Sequence, residues 1–175
     1  MQGLVVHHGP GHPSGDLSDG SLALPCRHGE LVALVDAGAN EDLGFDVTGR
    51  GDPVLVLDER VGAPQRATLR PLDGRTTVLV TRRIDGLADI VDRIVLVYAG
   101  QVIESGTAAQ VIHNPRHPLT RRLLRGGRSP VEPIGAHDGC PYVVHCPLGD
   151  SVCVDHVPGL RTVADRQVAC HYAEL

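Results

Sequence analysis

Four cysteines near the end of the chain are the residues whose type and spacing indicate the clearest chemistry. They form a C-x5-C-x6-C-x16-C pattern and are Cys140, Cys146, Cys153 and Cys170. Thiolates ligate iron–sulfur clusters and structural zinc, and four of them on short loops can complete a coordination shell. The spacing differs from the C-x2-C pairs of zinc ribbons, which favours an iron–sulfur cluster but leaves zinc open.

Two other interpretations of the four cysteines are disulfide bonds and unrelated free thiols. Disulfides are disfavoured in a reducing compartment, and chance is a weak explanation for four cysteines so close together. His145 and His171 each adjoin one of these cysteines, so either histidine could replace a thiol as ligand or lie in solvent as a neighbour. The fifth cysteine, Cys26, is far away in the sequence and is interpreted as a packing residue.

An apolar run that ends in two acids is a second candidate site. Residues 53–57 (PVLVL) are followed by Asp58 and Glu59. Nucleotide hydrolases use such a strand end to hold Mg²⁺ with the aspartate and to orient the attacking water with the glutamate. Any strand can end in two solvated acids, however, so the pair indicates a function only beside other motifs.

A run of arginines is a third candidate. It comprises Arg116, Arg121, Arg122, Arg125 and Arg128, and no acid lies between Ser105 and Val131. Guanidinium groups suit phosphates or the carboxylates of a partner, although such a run is more often the solvated face of a helix. Nucleic acid is disfavoured as a ligand because the chain has one Phe, three Tyr, no Trp and a net charge of −5.

Short apolar runs between turn residues predict the elements that position these sites. Runs rich in Val and Ile favour buried strands, here at residues 21–24, 31–35, 54–57, 76–80, 94–97 and 101–103. Helical spacing predicts a helix over residues 85–93, and further helices are predicted over 107–112 and after Pro118. Residues 98–101 predict a hairpin turn. Strands alternating with helices indicate an α/β sheet.

Composition and the amino terminus exclude several classes of protein. All 16 basic residues are arginine, so chemistry that needs a lysine, including a phosphate-loop lysine, is excluded. The first ten residues have no basic stretch followed by an apolar run, and no segment is apolar enough for a membrane span. We therefore expect a cytoplasmic protein, at most peripheral on the inner face of the cell membrane.

Residues 88–125, ADIVDRIVLVYAGQVIESGTAAQVIHNPRHPLTRRLLR, resemble the end of the ATP-binding subunit of oligopeptide and dipeptide ABC transporters. In that family a strand pair with an MYAG turn and a following glutamate precedes an NPRHPYT segment, and residues 98–100 and 114–120 stand in those places. The segments GCPYVVHCPLGDSVC and VACH resemble the family's four-cysteine tail. Because that tail binds a [4Fe-4S] cluster in relatives, the resemblance implies such a cluster at the four cysteines here.

The family's phosphate loop is altered in this sequence. The loop reads G-x-x-x-x-G-K-[ST], whereas residues 36–43 read DAGANEDL. Asp36 and Glu41 replace the glycines, Asp42 replaces the lysine and Leu43 replaces the hydroxyl residue. A phosphate cradle presents backbone N–H groups and a cation to the anion, so three carboxylates there would repel a triphosphate.

Other parts of the family's ATPase machinery are also missing from the sequence. Only residues 44–57 separate Leu43 from Asp58, which leaves no room for the helical subdomain that carries the LSGGQ signature. Arg82 stands where the switch histidine is expected. Without the phosphate-loop lysine, the signature and this histidine, we interpret Asp58 and Glu59 as vestigial and expect no enzyme activity.

We therefore expect an α/β fold with a shortened P-loop-NTPase-like (ABC ATPase core) sheet and a small, Cys-rich, metal-bound C-terminal extension. The expected units are a degenerate nucleotide-binding core (1–106), an Arg-rich helical arm with linker (107–130) and a four-cysteine cluster-binding tail (131–175). The expected function is that of an ATPase-inactive accessory subunit. It binds a [4Fe-4S] cluster, or zinc instead, and does not use ATP or Mg²⁺. Its expected partners are ABC transporter subunits, either an active ATPase subunit or the membrane permease.

Two alternative functions remain open. The chain could be a functional ATP-binding subunit of a peptide transporter, with the missing elements supplied by a partner. It could also be an iron–sulfur or zinc regulatory module on an α/β scaffold.

Overall fold

The computed structural model describes residues 2–8, 21–38, 45–49, 55–58, 74–128, 130 and 138–174 of the 175-residue chain. The strands in these ranges are β1 (Gln2–His8), β2 (Ser21–Cys26), β3 (Leu31–Asp36), β4 (Phe45–Gly49), β5 (Leu55–Asp58), β6 (Thr77–Thr81), β7 (Arg93–Tyr98), β8 (Gln101–Thr107), β9 (Arg161–Val163) and β10 (Arg166–Val168). The α-helices are α1 (Ala108–His113), α2 (Pro118–Leu124) and α3 (Ser151–Asp155).

A seven-stranded sheet contains most of the described strands, in the order β5-β6-β3-β7-β8-β10-β9. Strands β5, β6, β3 and β7 are parallel, and the pairs from β7 to β9 are antiparallel. The sheet is accompanied by three helices, so the α/β class predicted from the sequence is confirmed. Strands β1, β2 and β4 form a separate antiparallel sheet in the order β2-β1-β4.

The central strands are buried along their whole length, as expected for parallel strands with both faces covered. Every residue of β3 and β6 is buried, and so is β7 beyond its first residue. Each of the six apolar runs overlaps a strand, which confirms the predicted strands. The predicted burial holds for β3, β6, β7 and most of β8, but Val56 of β5 is 37% exposed. These strands place the hydrophobic core around Leu79, Leu96 and Leu119, against which the tail residues Tyr142 and Cys153 also pack.

The helix predicted over residues 85–93 is wrong, since the segment consists of turns before β7 begins. Leu87 and Val91 are buried, as their spacing indicated, but one turn with a bond from Val91 N to Leu87 O (3.2 Å) is enough to bury both. Asp92 N then donates to Leu31 O (2.8 Å), and the Asp92 carboxylate accepts from Leu31 N (2.8 Å). These bonds to β3 extend the backbone and end the turn.

The other local predictions are confirmed. Helix α1 begins after Thr107, whose side chain accepts from Gln110 N while the Gln110 side chain accepts from Thr107 N, a capping box. Helix α2 begins at Pro118, a residue suited to the first helical position. The turn between β7 and β8 has positive φ at Ala99 (48°) and Gly100 (74°), which matches the twist of a tight hairpin.

Several elements were not anticipated from the sequence, namely β1, β4, β9, β10 and α3. The hairpin of β9 and β10 is important for the site because β10 pairs with β8, with Gln167 opposite Ser105 and Val168 opposite Glu104. The cysteine-rich tail therefore continues the same sheet as the core. The Gly and Pro residues of segment 9–20 predict a loop, and this segment lies outside the described residues.

In the described part of the chain, no helix has the length and apolar character needed to cross a membrane.

Candidate functional site

The four tail cysteines occupy four different backbone settings around one corner of the fold. Cys140 precedes a turn, Cys146 ends a 3₁₀ turn (Val143–His145), Cys153 lies in α3 and Cys170 follows β10. Cys140 N donates to Cys153 O (2.8 Å), which joins two of these segments directly. Cys140, Cys153 and Cys170 are buried and Cys146 is half-buried, all four as free thiols.

The pKa values of the four thiols are raised, mainly by burial and partly by one another. Burial raises the pKa of the Cys140 thiol to about 11, and the thiols of Cys153, Cys146 and Cys170 each push it in the same direction. Burial is also the main cause that raises the pKa of the other three. The structure thus brings the whole predicted set into mutual electrostatic range, in surroundings that disfavour thiolates.

The thiols do not form a closed ligand set. Among the residues that the structure describes, no group of three or more His, Cys, Asp or Glu side chains is arranged to hold a metal ion. The metal or cluster site therefore stays a prediction. Of the two histidines considered as substitutes, His145 is exposed, and His171 places Nε2 3.0 Å from the carbonyl oxygen of His156.

Asp150 and Tyr172 fix the cysteine segments from the outside. The Asp150 carboxylate caps α3 by accepting from Cys153 N (3.2 Å) and also accepts a hydrogen bond from the Tyr172 hydroxyl. That hydroxyl bond is the largest cause that lowers the pKa of Asp150, and it raises the pKa of Tyr172 to about 12. The pair ties the start of α3 to the turn that follows Cys170.

Gly139 is required by a close approach of two backbone segments. A Cβ at this position would lie 2.2 Å from the carbonyl oxygens of Cys153 and Val154. Real Cβ atoms do not come so close to backbone oxygens, so only glycine allows Cys140 to reach α3. The sequence contained this requirement, but only the path of the chain reveals it.

The second candidate site lies at the opposite end of the sheet order. Strands β5, β6 and β3 are parallel neighbours, so their carboxyl ends meet at one edge, where open α/β sheets bind ligands. Asp58 ends β5, Arg82 follows β6 and Asp36 ends β3. Glu41, Asp42, Leu43 and Glu59 fall outside the described residues.

Asp36 occupies the start of the phosphate-loop segment. Its side chain is buried, and Oδ1 accepts from Gly38 N (3.0 Å). Ala37 N donates to Val97 O (2.8 Å). The first two backbone N–H groups after Asp36 that could face an anion are therefore already bonded within the protein.

Glu104, a buried carboxylate that sequence reasoning did not single out, joins β8 to the NPRHP segment. Glu104 of β8 accepts from Arg116 N and His117 N, both at 2.9 Å. Arg166 of β10 lies 3.5 Å from the same carboxylate and donates to the carbonyl oxygens of Gln110 (2.7 Å) and Asn114 (2.5 Å). Glu104 is the glutamate that follows the YAG turn of residues 98–100. No local sequence signal predicts a buried role for Arg166.

Comparison with known proteins supports the family suggested by these segments. The dipeptide transport ATP-binding protein DppD of Haemophilus influenzae is 31% identical over 168 residues, which cover 86% of this chain and 46% of that protein. DppD of Escherichia coli is 30% identical, over 87% of this chain and 47% of that protein. The chain is homologous to peptide-import ATP-binding proteins.

Other relatives share only part of the alignment. The di/tripeptide transport ATP-binding protein DppF of Pseudomonas aeruginosa is 31% identical over 55% of this chain and 35% of that protein. No protein-family model matches the chain. The chain spans about half the length of the DppD proteins that it matches. Its mixed sheet and this homology together fit a P-loop-NTPase-like core.

Proposed function

We propose that the chain is a non-hydrolysing accessory subunit of a peptide importer and that its tail binds a [4Fe-4S] cluster. The support for the cluster proposal is the burial of three of the four thiols, the backbone bond that joins Cys140 to Cys153, and the raised pKa of Cys140, to which the other three thiols contribute. A buried thiol has no favourable way to ionise unless a cation is close. By residue type the four thiols suit a thiolate-bound iron–sulfur centre, and the described side chains would have to close around it, since they do not form a closed ligand set.

Cys140, Cys146, Cys153 and Cys170 would hold this cluster. When bound, the cluster supplies an iron core whose thiolate bonds cross-link four separate backbone segments. The protein's own part is to bring those segments together through the Cys140–Cys153 backbone bond and the Asp150–Tyr172 contact. Binding free energy is then folding free energy for the tail.

The proposal of inactivity depends on Asp36. A buried carboxylate that already accepts from Gly38 N stands where phosphate oxygens would otherwise accept. Like charge and occupied donors both oppose triphosphate binding at this edge of the sheet. Under this proposal Asp58 only ends strand β5 and does not bind the Mg²⁺ of a nucleotide.

The proposed partners are the other subunits of a peptide importer, either an active ATP-binding subunit or the membrane permease. The support is the homology to peptide-import ATP-binding proteins, which act as subunits of transporters. The proposal places the chain in the cytoplasm, against the inner face of the membrane when assembled.

Metal analysis of the full chain tests the cluster. After anaerobic purification we expect a brown protein with about four irons and equal sulfide per chain. Cys146→Ser should lose the colour and the iron, whereas Cys26→Ser, the matched removal of the one cysteine outside the tail, should keep both. Stoichiometric zinc, or a metal-free protein, would overturn the cluster proposal.

Nucleotide titration tests inactivity. We expect no binding of Mg²⁺–ATP that depends on Asp58, and no phosphate release by the purified chain. Binding of ATP that Asp58→Ala abolishes would show instead that the chain is a functional ATP-binding subunit.

A further inference from the structure

A pocket between α2 and the loop that carries Cys146 lies outside both sites described above. Its volume is about 350 Å³, within the usual range for sites that bind small molecules. Three arginines line the α2 side, Arg121, Arg122 and Arg125, and Tyr142, His145 and Leu148 line the loop side. The pocket therefore combines a cationic wall with aromatic and apolar surfaces.

The cationic wall has no acidic counterpart in the described part of the chain. None of the three arginines forms an ion pair with another described residue. The positive field reaches the neighbouring His117, where Arg121 adds to burial in lowering the pKa. An anion that entered the pocket would gain attraction without displacing a carboxylate of these residues.

Two of the guanidinium groups are held in place by the backbone. Arg121 Nε donates to Pro115 O (3.0 Å), and Arg122 Nε donates to Arg128 O (3.2 Å). Burial raises the pKa of the Tyr142 hydroxyl, and the nearby Arg122 guanidinium opposes that rise. Because the two bonds to the backbone fix the side chains, a ligand that binds to the terminal N–H groups would lose little affinity to side-chain ordering.

We propose that this pocket binds the carboxylate or phosphate group of a small anionic molecule. Arginine presents a planar fork of donors that matches both kinds of oxyanion. The volume suits one small molecule, and Leu148 provides an apolar surface for its uncharged part. The site takes no cysteine as a ligand and does not use the edge of the sheet at Asp36, although His145 and Pro147 of its loop wall flank Cys146.

Titration of the full chain with inorganic phosphate, succinate and ATP, each followed by calorimetry and by the NMR signals of Tyr142 and His145, tests the pocket. We expect at least one probe to bind and to shift both signals. The double variant Arg121→Gln with Arg125→Gln should weaken that binding at least tenfold. The matched control Arg75→Gln removes an exposed arginine elsewhere and should change the affinity less than twofold.

Each outcome separates a site from general attraction to arginine. Absence of binding for all three probes at 5–10 mM, roughly the weakest affinity worth assigning to a site, overturns the proposal. Equal weakening in Arg75→Gln overturns it as well. If the double variant does not fold, Arg125→Gln alone replaces it, since Arg125 is exposed. ATP binding that Arg125→Gln weakens but Asp58→Ala leaves intact places the triphosphate here and not at the carboxyl ends of β3 and β5.

Discussion

Single buried charges hold together parts of the chain that are far apart in sequence. The Glu104 carboxylate is fully buried, accepts two backbone N–H groups of the NPRHP segment and faces the guanidinium of Arg166, which is also buried. Arg166 in turn donates to the carbonyl oxygens at the end of α1. Removing one member of such a network leaves the other charged and without compensation.

We predict that Glu104→Gln lowers the free energy of unfolding by about 3 kcal/mol, because Arg166 loses its counter-charge in a buried setting. The amide of glutamine also places a donor against Arg116 N or His117 N. The measurement is the urea midpoint at unchanged m-value. Glu174→Gln, which breaks the exposed pair with Arg161, is the control and should barely move the midpoint. Equal midpoints for both variants would contradict the prediction.

His117 is a buried histidine that folding keeps neutral. Its Nδ1 accepts from Leu119 N (3.1 Å), and its ring packs 5.7 Å from the ring of Tyr142. Burial, with a further contribution from Arg121, lowers the pKa of His117 from 6.5 to about 3. In the unfolded chain His117 is therefore protonated below about pH 6.5, whereas in the folded chain it is protonated only below about pH 3.

The lowered pKa of His117 predicts that the free energy of unfolding decreases as the pH is lowered. Full stability from this group is present above pH 6.5 and is lost on acidification, by about 1.4 kcal/mol per pH unit until the pH approaches the folded pKa. In His117→Asn the side chain can still cap α2 but does not titrate. We expect the urea midpoint of the variant to depend less steeply on pH between 6.5 and 4.5. Parallel pH profiles for the two proteins would show that His117 is protonated in the fold.

At the scale of elements, the cysteines are positioned by short turns and one short helix. Cys146 lies at the end of the 3₁₀ turn and Cys153 lies in α3. Cys170 follows the β9–β10 hairpin by two residues. None of these elements is long enough to be stable alone, so each depends on contacts with the others. Gly139 is where two of them meet most closely.

We predict that Gly139→Ala destabilises the tail by about 1–3 kcal/mol, as expected when an added methyl group forces the backbone apart. Gly159→Ala is the matched control, because a Cβ there would meet nothing within 4 Å. The measurement is the rate of limited proteolysis within residues 138–174. Faster cleavage is expected for Gly139→Ala and an unchanged rate for Gly159→Ala. Comparable rates in both would mean that the two segments can separate without cost.

At the scale of the whole molecule, one seven-stranded sheet contains both the strand that ends at Asp36 and the strand that leads to Cys170. Strand β3, which ends at Asp36, is two strands from β8, and β8 pairs with β10, which leads to Cys170. Ala169 N donates to Ile103 O (2.9 Å) and extends this connection to the residue before Cys170. The strand pairing of the tail therefore ends at β8, and β7 separates β8 from β3.

We predict that removing the metal from the anaerobically purified protein loosens the tail selectively. Amide hydrogen exchange should become faster in residues 138–174 and in the half of β8 that pairs with β10. Exchange in β3, buried in the sheet interior, should stay unchanged as the internal control. The same exchange pattern with and without metal would show that the tail folds without the cluster.

The sequence by itself determined the features that depend on neighbouring residues. Apolar runs such as 31–35 and 94–97 form strands, and the capping residue Thr107 and Pro118 begin helices where their local chemistry allows. The sequence also showed the four-cysteine pattern and the acidic residues of the phosphate-loop segment. Ligation by thiols and repulsion of phosphate by carboxylates depend on residue type and spacing, which the sequence contains. Residues 88–125 and the cysteine tail carry the family resemblance, and the alignment with a peptide-import ATP-binding protein covers 86% of the chain.

Only the tertiary structure decided features that depend on distant partners. Residues 85–93 have helical spacing, yet the bonds between Asp92 and Leu31 end the turn because they pair Asp92 with the start of β3. The pairing of Arg166 with Glu104 likewise arises from strand β10 lying against β8. Sequence spacing cannot reveal such contacts, since the free energy that selects them comes from burial and hydrogen bonding between segments that meet only in the fold.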